Sequence, residues 1–321
     1  MQHQILGGIK LSQSLAAVVM AAGKSTRMKS ALPKAAHKIC GKPVTGWVVD
    51  ACKDAGVSEC VVVVGYEAEL VKEALGADLR YALQAQQLGT GHACMQAVPE
   101  LSSDVQHVLV VPGDTPLITK EALKTLIDTH ISQGNAATLL TAVLEDAGHY
   151  GRILRDENNA VKCIREAKDC STDELAIGEF NVAIYCFELS ALREKLSLLK
   201  TDNAQGEYYL TDVISLMYND GLKVVPVVCP DYEETLGINN RIELAEAGRV
   251  LRKRIAEKHM LAGVSIVDPA ATYIDWNVKI GNDTTIYPGC VIEGDTHIGS
   301  NCQIGPFTHL KSVTIADGSA G

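Results

Sequence analysis

Ile274, Ile280, Ile286, Ile292, Ile298, Ile304 and Leu310 fall at a strict period of six. Seven successive aliphatic hits are improbable by chance, and Gly281, Gly299 and Gly305 directly follow three of them. This is the hexapeptide signature of a parallel β-helix, in which each aliphatic points inward and three hexads close one triangular turn. Seven hexads predict about two turns, where an array of this kind normally needs about three repeats and a polar cap. The pattern is still running at "ADGSAG", so it is expected to be a truncated product or a short natural stub.

Upstream of residue 270 the rule is different. "LAAVVMAA" (15–22), "ECVVVVGY" (59–66), "HVLVVPGD" (107–114) and "AATLLTAVL" (136–144) are short apolar runs that read as buried strands. Between them, "VTGWVVDACKDAG" (44–56), "EAELVKEALG" (67–76) and "TKEALKTLIDTHISQG" (119–134) carry helical spacing and stop at glycine, the last with Thr119 as its cap. Strands that are apolar throughout need cover on both faces, which predicts an α/β unit with a mostly parallel sheet between helix layers. Residues 150–190 have shorter strands and polar turns and are expected to form an α+β insertion lying over the sheet. "VVPVVC" (224–229) returns to core strand character. A long amphipathic connecting helix follows, with Ile242, Leu244, Ala245, Leu251, Ile255 and Leu261 as a partial apolar face. The expected division is an N-terminal extension over 1–14, an α/β unit over 15–238, the connecting helix over 239–263 and a partial β-helix over 264–321.

Several function classes drop out. A net charge of −10 is wrong for a general nucleic-acid binder, which needs a broad basic surface to displace phosphate counterions. The ten cysteines contain no Cys-x-x-Cys pair and several sit in apolar runs, so they read as buried free thiols of a reducing compartment. No run of 18 apolar residues exists, and "MQHQILGGIKLSQS" lacks the features of a signal peptide, so a cytoplasmic protein without a membrane span is expected. No His/Cys spacing suggests zinc, and His37, His92 and His149 read as structural.

The triplet Gly23-Lys24-Ser25 raises the phosphate-binding loop of ATPases. That loop needs G-x-x-x-x-G-K-[ST], and five residues before Gly23 lies Val18, inside a strand. Its first glycine is missing. What remains is an apolar strand, the small residues Ala21, Ala22 and Gly23, and then Lys24, Arg27, Lys29 and Lys34. Small residues let a backbone approach a ligand closely. The turn lies at the carboxyl end of the first strand, where open α/β sheets bind ligands, and four cations there suit a triphosphate.

"AAGKSTRM" followed by "LPK" resembles the signature of the sugar-1-phosphate nucleotidyltransferases, with Ser25 in place of the second glycine. "QAQQLGTGHA" (84–93), "PGD" (112–114, often Tyr-Gly-Asp), "YGRI" (150–153), "REAKD" (165–169), "EFNVAIY" (179–185), "NAQGEYYLTD" (203–212) and "GINNR" (237–241) extend the resemblance in order. With the hexads, the set from about residue 15 onward is similar to the bacterial N-acetylglucosamine-1-phosphate uridylyltransferases that carry a fused acetyltransferase. The resemblance implies a Rossmann-like nucleotidyltransferase domain and a short left-handed parallel β-helix, with a homotrimer formed along its flanks. It implies Mg²⁺-dependent joining of UTP and N-acetylglucosamine 1-phosphate to UDP-N-acetylglucosamine and pyrophosphate, a precursor step for peptidoglycan and lipopolysaccharide. No acetyl transfer is expected, because the acetyltransferase residues of that family lie on later turns.

The same resemblance implies roles residue by residue. Arg27 neutralises the departing pyrophosphate and Lys34 contacts a reacting phosphate. Met20, Ala21, Ala22, Gly23, Gln84, Gly89, Thr90 and Gly113 hold the nucleotide. Asp114 and Asn239 are the metal ligands; by itself, an Asn before a helix reads as an N-cap. Gly151, Glu166 and Asn181 form the sugar set, although Val182-Ala183 stands where the family commonly has Thr-Gly. Two alternatives stay open: another sugar 1-phosphate such as glucose 1-phosphate, or another NTP, as substrate; and a catalytically silent regulatory subunit.

Overall fold

The computed structural model describes residues 14–320. The expected extension over 1–14 lies outside the described residues except for Ser14, which already belongs to the first strand. The elements run β1 (Ser14–Met20), β2 (Lys38–Ile39), β3 (Lys42–Pro43), α1 (Val44–Asp54), β4 (Glu59–Val64), α2 (Ala68–Leu75), β5 (Arg80–Leu83), α3 (Thr90–Ala97), β6 (Val105–Pro112), α4 (Lys120–Gln133), β7 (Ala137–Val143), β8 (Arg152–Arg155), β9 (Val161–Arg165), α5 (Thr172–Leu175), β10 (Glu179–Glu188), α6 (Leu189–Leu196), α7 (Asp212–Asn219), β11 (Val224–Val228) and α8 (Arg241–Leu261).

The large sheet has the order β11-β7-β10-β6-β1-β4-β5, with the β8–β9 hairpin attached through β10. Its strands β1, β4, β6, β7 and β10 are buried on both faces because successive side chains enter different cores. Ala16 and Val18 of β1 face one core with α3, α6 and α7, while Ala17 and Val19 face the other with α1, α2 and α4. β1 is parallel to both β4 and β6. The chain runs from β1 outward to β5 and then returns to β6 on the opposite side of β1. That reversal opens a crevice at the carboxyl ends of β1 and β6.

Four expectations are corrected. Residues 150–190 are not all an insertion over the sheet. β10 threads the sheet's centre, antiparallel to β6 and β7, with Phe180, Ile184, Cys186 and Phe187 fully buried. Its apolar run is long enough to cross the core, and only β8, β9 and α5 lie to the side. β11 is an edge strand rather than a core one, which is why Pro226 is tolerated within it. On α8, Ile242 is 82% exposed and Leu261 90%. Of the expected face Leu251 and Ile255 are buried, and they continue into a stripe with Ala247 and His259 at four-residue steps, joined by Gly248 and Ala256. Small and polar residues fill this stripe because α8 packs closely against Ile39 and the β-helix, which apolar counting does not register.

The fourth correction concerns the hexads. They wind into three turns, not about two, giving three three-stranded parallel sheets. Ile274, Ile292 and Leu310 stack in register, as do Ile280, Ile298 and Ile315, and Ile266, Ile286 and Ile304. Ile266 and Ile315 fall off the strict period because the first and last turns differ in length, so the count of seven misses them. All ten cysteines are free, and no helix among the described residues is long and apolar enough to cross a membrane.

Candidate active site

The β1–β6 crevice is pinned where Met20 pairs with Pro112 and the Gly113 N–H donates to the Met20 carbonyl at 2.9 Å. Met20, Ala21, Ala22, Gly23, Arg27, Lys34, Gln84, Gly89, Thr90, Gly113 and Asp114 all line one open cleft of about 750 Å³. Eleven candidates dispersed over some hundred residues are thereby brought to one wall of the sheet. Lys24 also lines the cleft, whereas Lys29 is exposed outside it.

The loop after β1 carries its own strain. Ser25 takes φ 53° and ψ 40°, a left-handed conformation that suits glycine, before the short turn of helix Thr26–Met28. This holds a non-glycine residue at a cost of about 1 kcal/mol. The turn presents Arg27, whose Nη2 donates to Asn239 Oδ1 at 2.7 Å across 212 residues of sequence. The next short helical turn, Lys34–Ala36, presents Lys34, whose ammonium pairs with the Asp114 carboxylate.

Asp114 and Asn239 are themselves joined through the backbone, since the Ile238 N–H donates to the Asp114 carbonyl at 2.8 Å. Neither is consumed by helix capping. Thr119 caps α4 by accepting from the Ala122 N–H. Asn240, not Asn239, caps α8, accepting from Ile242 and Glu243 N–H at 2.9 and 3.0 Å. Glu243 accepts from the Asn239 N–H at 2.7 Å and from Asn240 Nδ2 at 2.6 Å, which fixes the turn carrying Asn239; its amide lines the adjoining pocket with Tyr150 and Gly237 rather than the cleft itself, and meets the cleft through Arg27. One carboxylate and one amide oxygen are hard donors, and no cluster of three His, Cys, Asp or Glu fit to hold a metal exists among the described residues. Such a sparse set fits a hard divalent cation that keeps phosphate and water ligands.

Gln84 is buried, and its Nε2 lies 3.0 Å from the Gly89 carbonyl and 3.1 Å from His92 Nδ1. The His92 read as structural is thus a direct support of a site residue. Gly89 has φ +109°, and a Cβ there would lie 2.5 Å from the Tyr208 carbonyl. Thr90 Oγ1 accepts from the Leu210 N–H at 3.0 Å. "QLGTGHA" and "GEYYLTD" are therefore two halves of one packed corner.

Gly151, Glu166 and Asn181 form a second group. The Asn181 N–H donates to the Gly151 carbonyl at 2.8 Å. Asn181 Nδ2 donates to the Tyr185 hydroxyl at 2.7 Å, and Asn181 Oδ1 accepts from the Ala183 N–H. Glu166 Oε1 accepts from Thr211 at 3.2 Å. Burial holds the Glu166 carboxyl above the usual range; Asp169 and Asp212 add to this, while the Thr211 hydrogen bond opposes it. None of the three lines the cleft of the nucleotide candidates; Glu166 lines the neighbouring groove with Asp169 and Asp212.

Sequence reasoning missed Gln87, Ala183 and Glu207, which line the cleft, and Thr45, whose Oγ1 donates to the Gly113 carbonyl at 2.7 Å. Ala183 sits at φ 63° in a bulge of β10. Its place in the family's Asn-Thr-Gly was its signal, as "QAQQLGTGHA" was for Gln87 and "NAQGEYYLTD" for Glu207; Thr45 had none.

Residues 17–174 match the MobA-like NTP transferase domain, and residues 277–319 match the bacterial transferase hexapeptide (six repeats). The chain is 49% identical over 303 residues to the bifunctional protein GlmU of Geobacillus sp. (strain WCH70), covering 94% of this chain and 66% of the relative. It is 47% identical to that of Caldanaerobacter subterraneus subsp. tengcongensis over 95% of this chain and 66% of the relative. Against that of Exiguobacterium sibiricum it is 48% identical over 94% of this chain and 67% of the relative. The chain thus spans about two thirds of the length of these relatives. Over that span, with a nucleotidyltransferase cleft followed by hexapeptide turns, the chain belongs to the family of the bifunctional protein GlmU.

Proposed function

We propose that this chain transfers a uridylyl group from UTP to N-acetylglucosamine 1-phosphate with Mg²⁺, giving UDP-N-acetylglucosamine and pyrophosphate. The observation that carries this reading is the crossed pairing at the crevice: Lys34 with Asp114, and Arg27 with Asn239, so that two cations and a carboxylate line the cleft and the Asn239 amide, which lines the adjoining pocket, is tied to it through Arg27. The division assigned here is transfer by residues 15–238, with 239–263 as connecting helix and 264–321 as β-helix.

A phosphate oxygen of the sugar phosphate attacks the α-phosphorus of UTP. The bond from that phosphorus to the bridging oxygen breaks, and pyrophosphate leaves with the electron pair. Such transfers depend on in-line placement and charge neutralisation rather than on a covalent nucleophile. Held by Asp114 and Asn239, Mg²⁺ supplies charge neutralisation at the phosphates. Lys34 exchanges its Asp114 partner for a reacting phosphate. Arg27 keeps one arm of its fork on Asn239 and turns the others to the departing pyrophosphate. Met20, Ala21, Ala22, Gly23 and Gly113 give close backbone approach. Gln84, Gly89 and Thr90 read the base, the Gln84 carbonyl being the free end of its amide. Gly151, Glu166 and Asn181 receive the sugar once Asn181 trades an internal partner for a ring substituent. The β-helix flanks, where Phe307 is 83% exposed, are assigned to a homotrimer.

Pyrophosphate release with UTP and Mg²⁺ tests this, with N-acetylglucosamine 1-phosphate and glucose 1-phosphate side by side. Preference for the N-acetyl sugar supports the reading; preference for glucose 1-phosphate moves the substrate; release with neither makes a silent subunit the better account.

A further inference from the structure

Both ends of the β2–β3 hairpin land on the Gly113–Asp114 corner. Just before β2, Lys34 pairs with Asp114; just after β3, Thr45 hydrogen-bonds the Gly113 carbonyl. The base of the hairpin is closed by the Val44 N–H donating to the His37 carbonyl at 2.8 Å. Its tip is held by the β-helix. The Trp276 N–H donates to the Cys40 carbonyl at 3.0 Å. Gly41 has φ +79°, and a Cβ there would lie 2.6 Å from Asp275 Oδ2, so the tip fits this turn only as glycine.

Lys42, 7% exposed, completes the clasp. Its ammonium pairs with Asp50 and lies 3.5 Å from the centroid of the Trp276 ring and 4.9 Å from that of Trp47. Trp47 Nε1 in turn donates to the Ile39 carbonyl at 3.1 Å. These are the two tryptophans of the chain, 229 residues apart in sequence, and both face one lysine of the hairpin. A cleft of about 640 Å³ opens beside Lys42 and Trp276, so the clasp is packed on one side and has room on the other.

We propose that Trp276 is a positioning residue for the nucleotide site: from the β-helix it holds the hairpin that sets Lys34 and Thr45 against the Gly113–Asp114 corner. This rests on the uridylyl-transfer reading above. Adjacency alone does not establish coupling. Linkage requires, however, that whatever the clasp contributes to nucleotide affinity is returned to the clasp when nucleotide binds.

The experiment uses the full chain. UTP with Mg²⁺ is titrated while tryptophan emission is followed, and pyrophosphate release gives kcat and KM separately. The unsubstituted chain is expected to change its emission on binding UTP. Trp276→Leu is expected to weaken UTP binding and raise the KM for UTP about tenfold, with kcat altered about twofold at most. Trp276→Phe keeps a ring over Lys42 and is expected to recover most of the affinity. A Trp276→Leu protein that melts earlier yet binds UTP as tightly as the unsubstituted chain overturns the proposal. Should that variant not fold, Lys42→Met decides, with the same rise in KM expected and an unchanged KM overturning it. A chain that binds UTP but releases no pyrophosphate refutes the transfer reading and leaves the titration to judge the clasp. One that binds no UTP overturns both.

Discussion

The β-helix and the nucleotide cleft are held together by different rules. In the β-helix each buried aliphatic stacks on one a single turn away, such as Ile274 on Ile292 and Ile292 on Leu310. The period writes the structure, and the same few contacts repeat. In the cleft the defining pairs join residues 80 and 212 positions apart, the groups are polar, and Ser25 holds left-handed backbone. Nothing local specifies them; the sheet topology brings them together. Left-handed backbone is common to both regions, since Asp283, Asn301, Phe307 and Ser312 of the β-helix hold it too; what separates the two is the sequence distance and the polarity of the contacts that define them.

The largest expected effect breaks this comparison if it fails. Asp114→Ala should lower kcat by about a thousandfold or more, as expected for loss of a group that stabilises charge at the reacting centre. Asp114 is partly exposed at the cleft, so the melting temperature should hardly move. Isothermal titration with Mg²⁺ and UTP, beside the kinetics and a thermal melt, checks both halves. A variant that loses turnover only because it unfolds would erase the distinction. Ile304→Ala is the mirror case. The side chain is 4% exposed in the β-helix core, and its truncation should destabilise by about 3 kcal/mol. Turnover per folded molecule should stay within about twofold. Urea denaturation with a parallel activity assay reads this.

A third expectation assigns acid sensitivity to the α/β unit. His130 is fully buried between α4 and the sheet, 3.0 Å from Thr138 Oγ1 and 3.1 Å from His107. Burial, and then His107, hold its pKa down at about 4. The folded pKa lies below the unfolded value near 6.5, so the stability tied to neutral His130 is complete above pH 6.5. It is lost as pH falls toward 4, by about 3 kcal/mol at most. Glu166 and Asp212, whose carboxyls burial raises, push the opposite way, gaining stability as pH falls. The difference between the unsubstituted chain and His130→Gln in urea unfolding at pH 7 and near pH 4.5 isolates the histidine. Equal slopes would remove it from the account.

The limits of sequence reading follow the same division. β1, β4, β6 and β7 were legible because strands buried on both faces are apolar throughout, and the β-helix was legible from its period. β10 was misplaced because its flanking segments are polar while it alone crosses the core. Part of the buried stripe of α8 escaped because Gly248 and His259 are not apolar signals. The third β-helix turn escaped because Ile266 lies eight residues before Ile274 and Ile315 five after Leu310. In the cleft, loop composition identified a triphosphate-type cation cluster, but Asn239 was separable from its capping neighbour Asn240 only through the family pattern. Thr45 carried no signal, because its contact exists only once α1 meets β6, while Gln87 lay inside "QAQQLGTGHA" but was not singled out from its neighbours.

The smallest expected effects concern the two places where the chain departs from the family's glycines. Ser25 and Ala183 both hold positive φ, 53° and 63°. Glycine relieves about 1 kcal/mol of such strain and gives part of it back as unfolded-chain entropy. Ala183→Gly should therefore stabilise by about 0.5 kcal/mol, and Ser25→Gly by less. The Ser25 hydroxyl donates to the Gly23 carbonyl at 3.3 Å, and that bond would go with the side chain. Chemical denaturation of both variants gives the ranking. Ala183 also lines the cleft and donates its N–H to Asn181 Oδ1, so its methyl has a second consequence. If Ala183→Gly gains stability and leaves the ratio of N-acetylglucosamine 1-phosphate to glucose 1-phosphate turnover unchanged, the departure is one of backbone alone. If the ratio moves, the methyl shapes the sugar pocket, and a single methyl group then sets substrate choice as well as backbone strain.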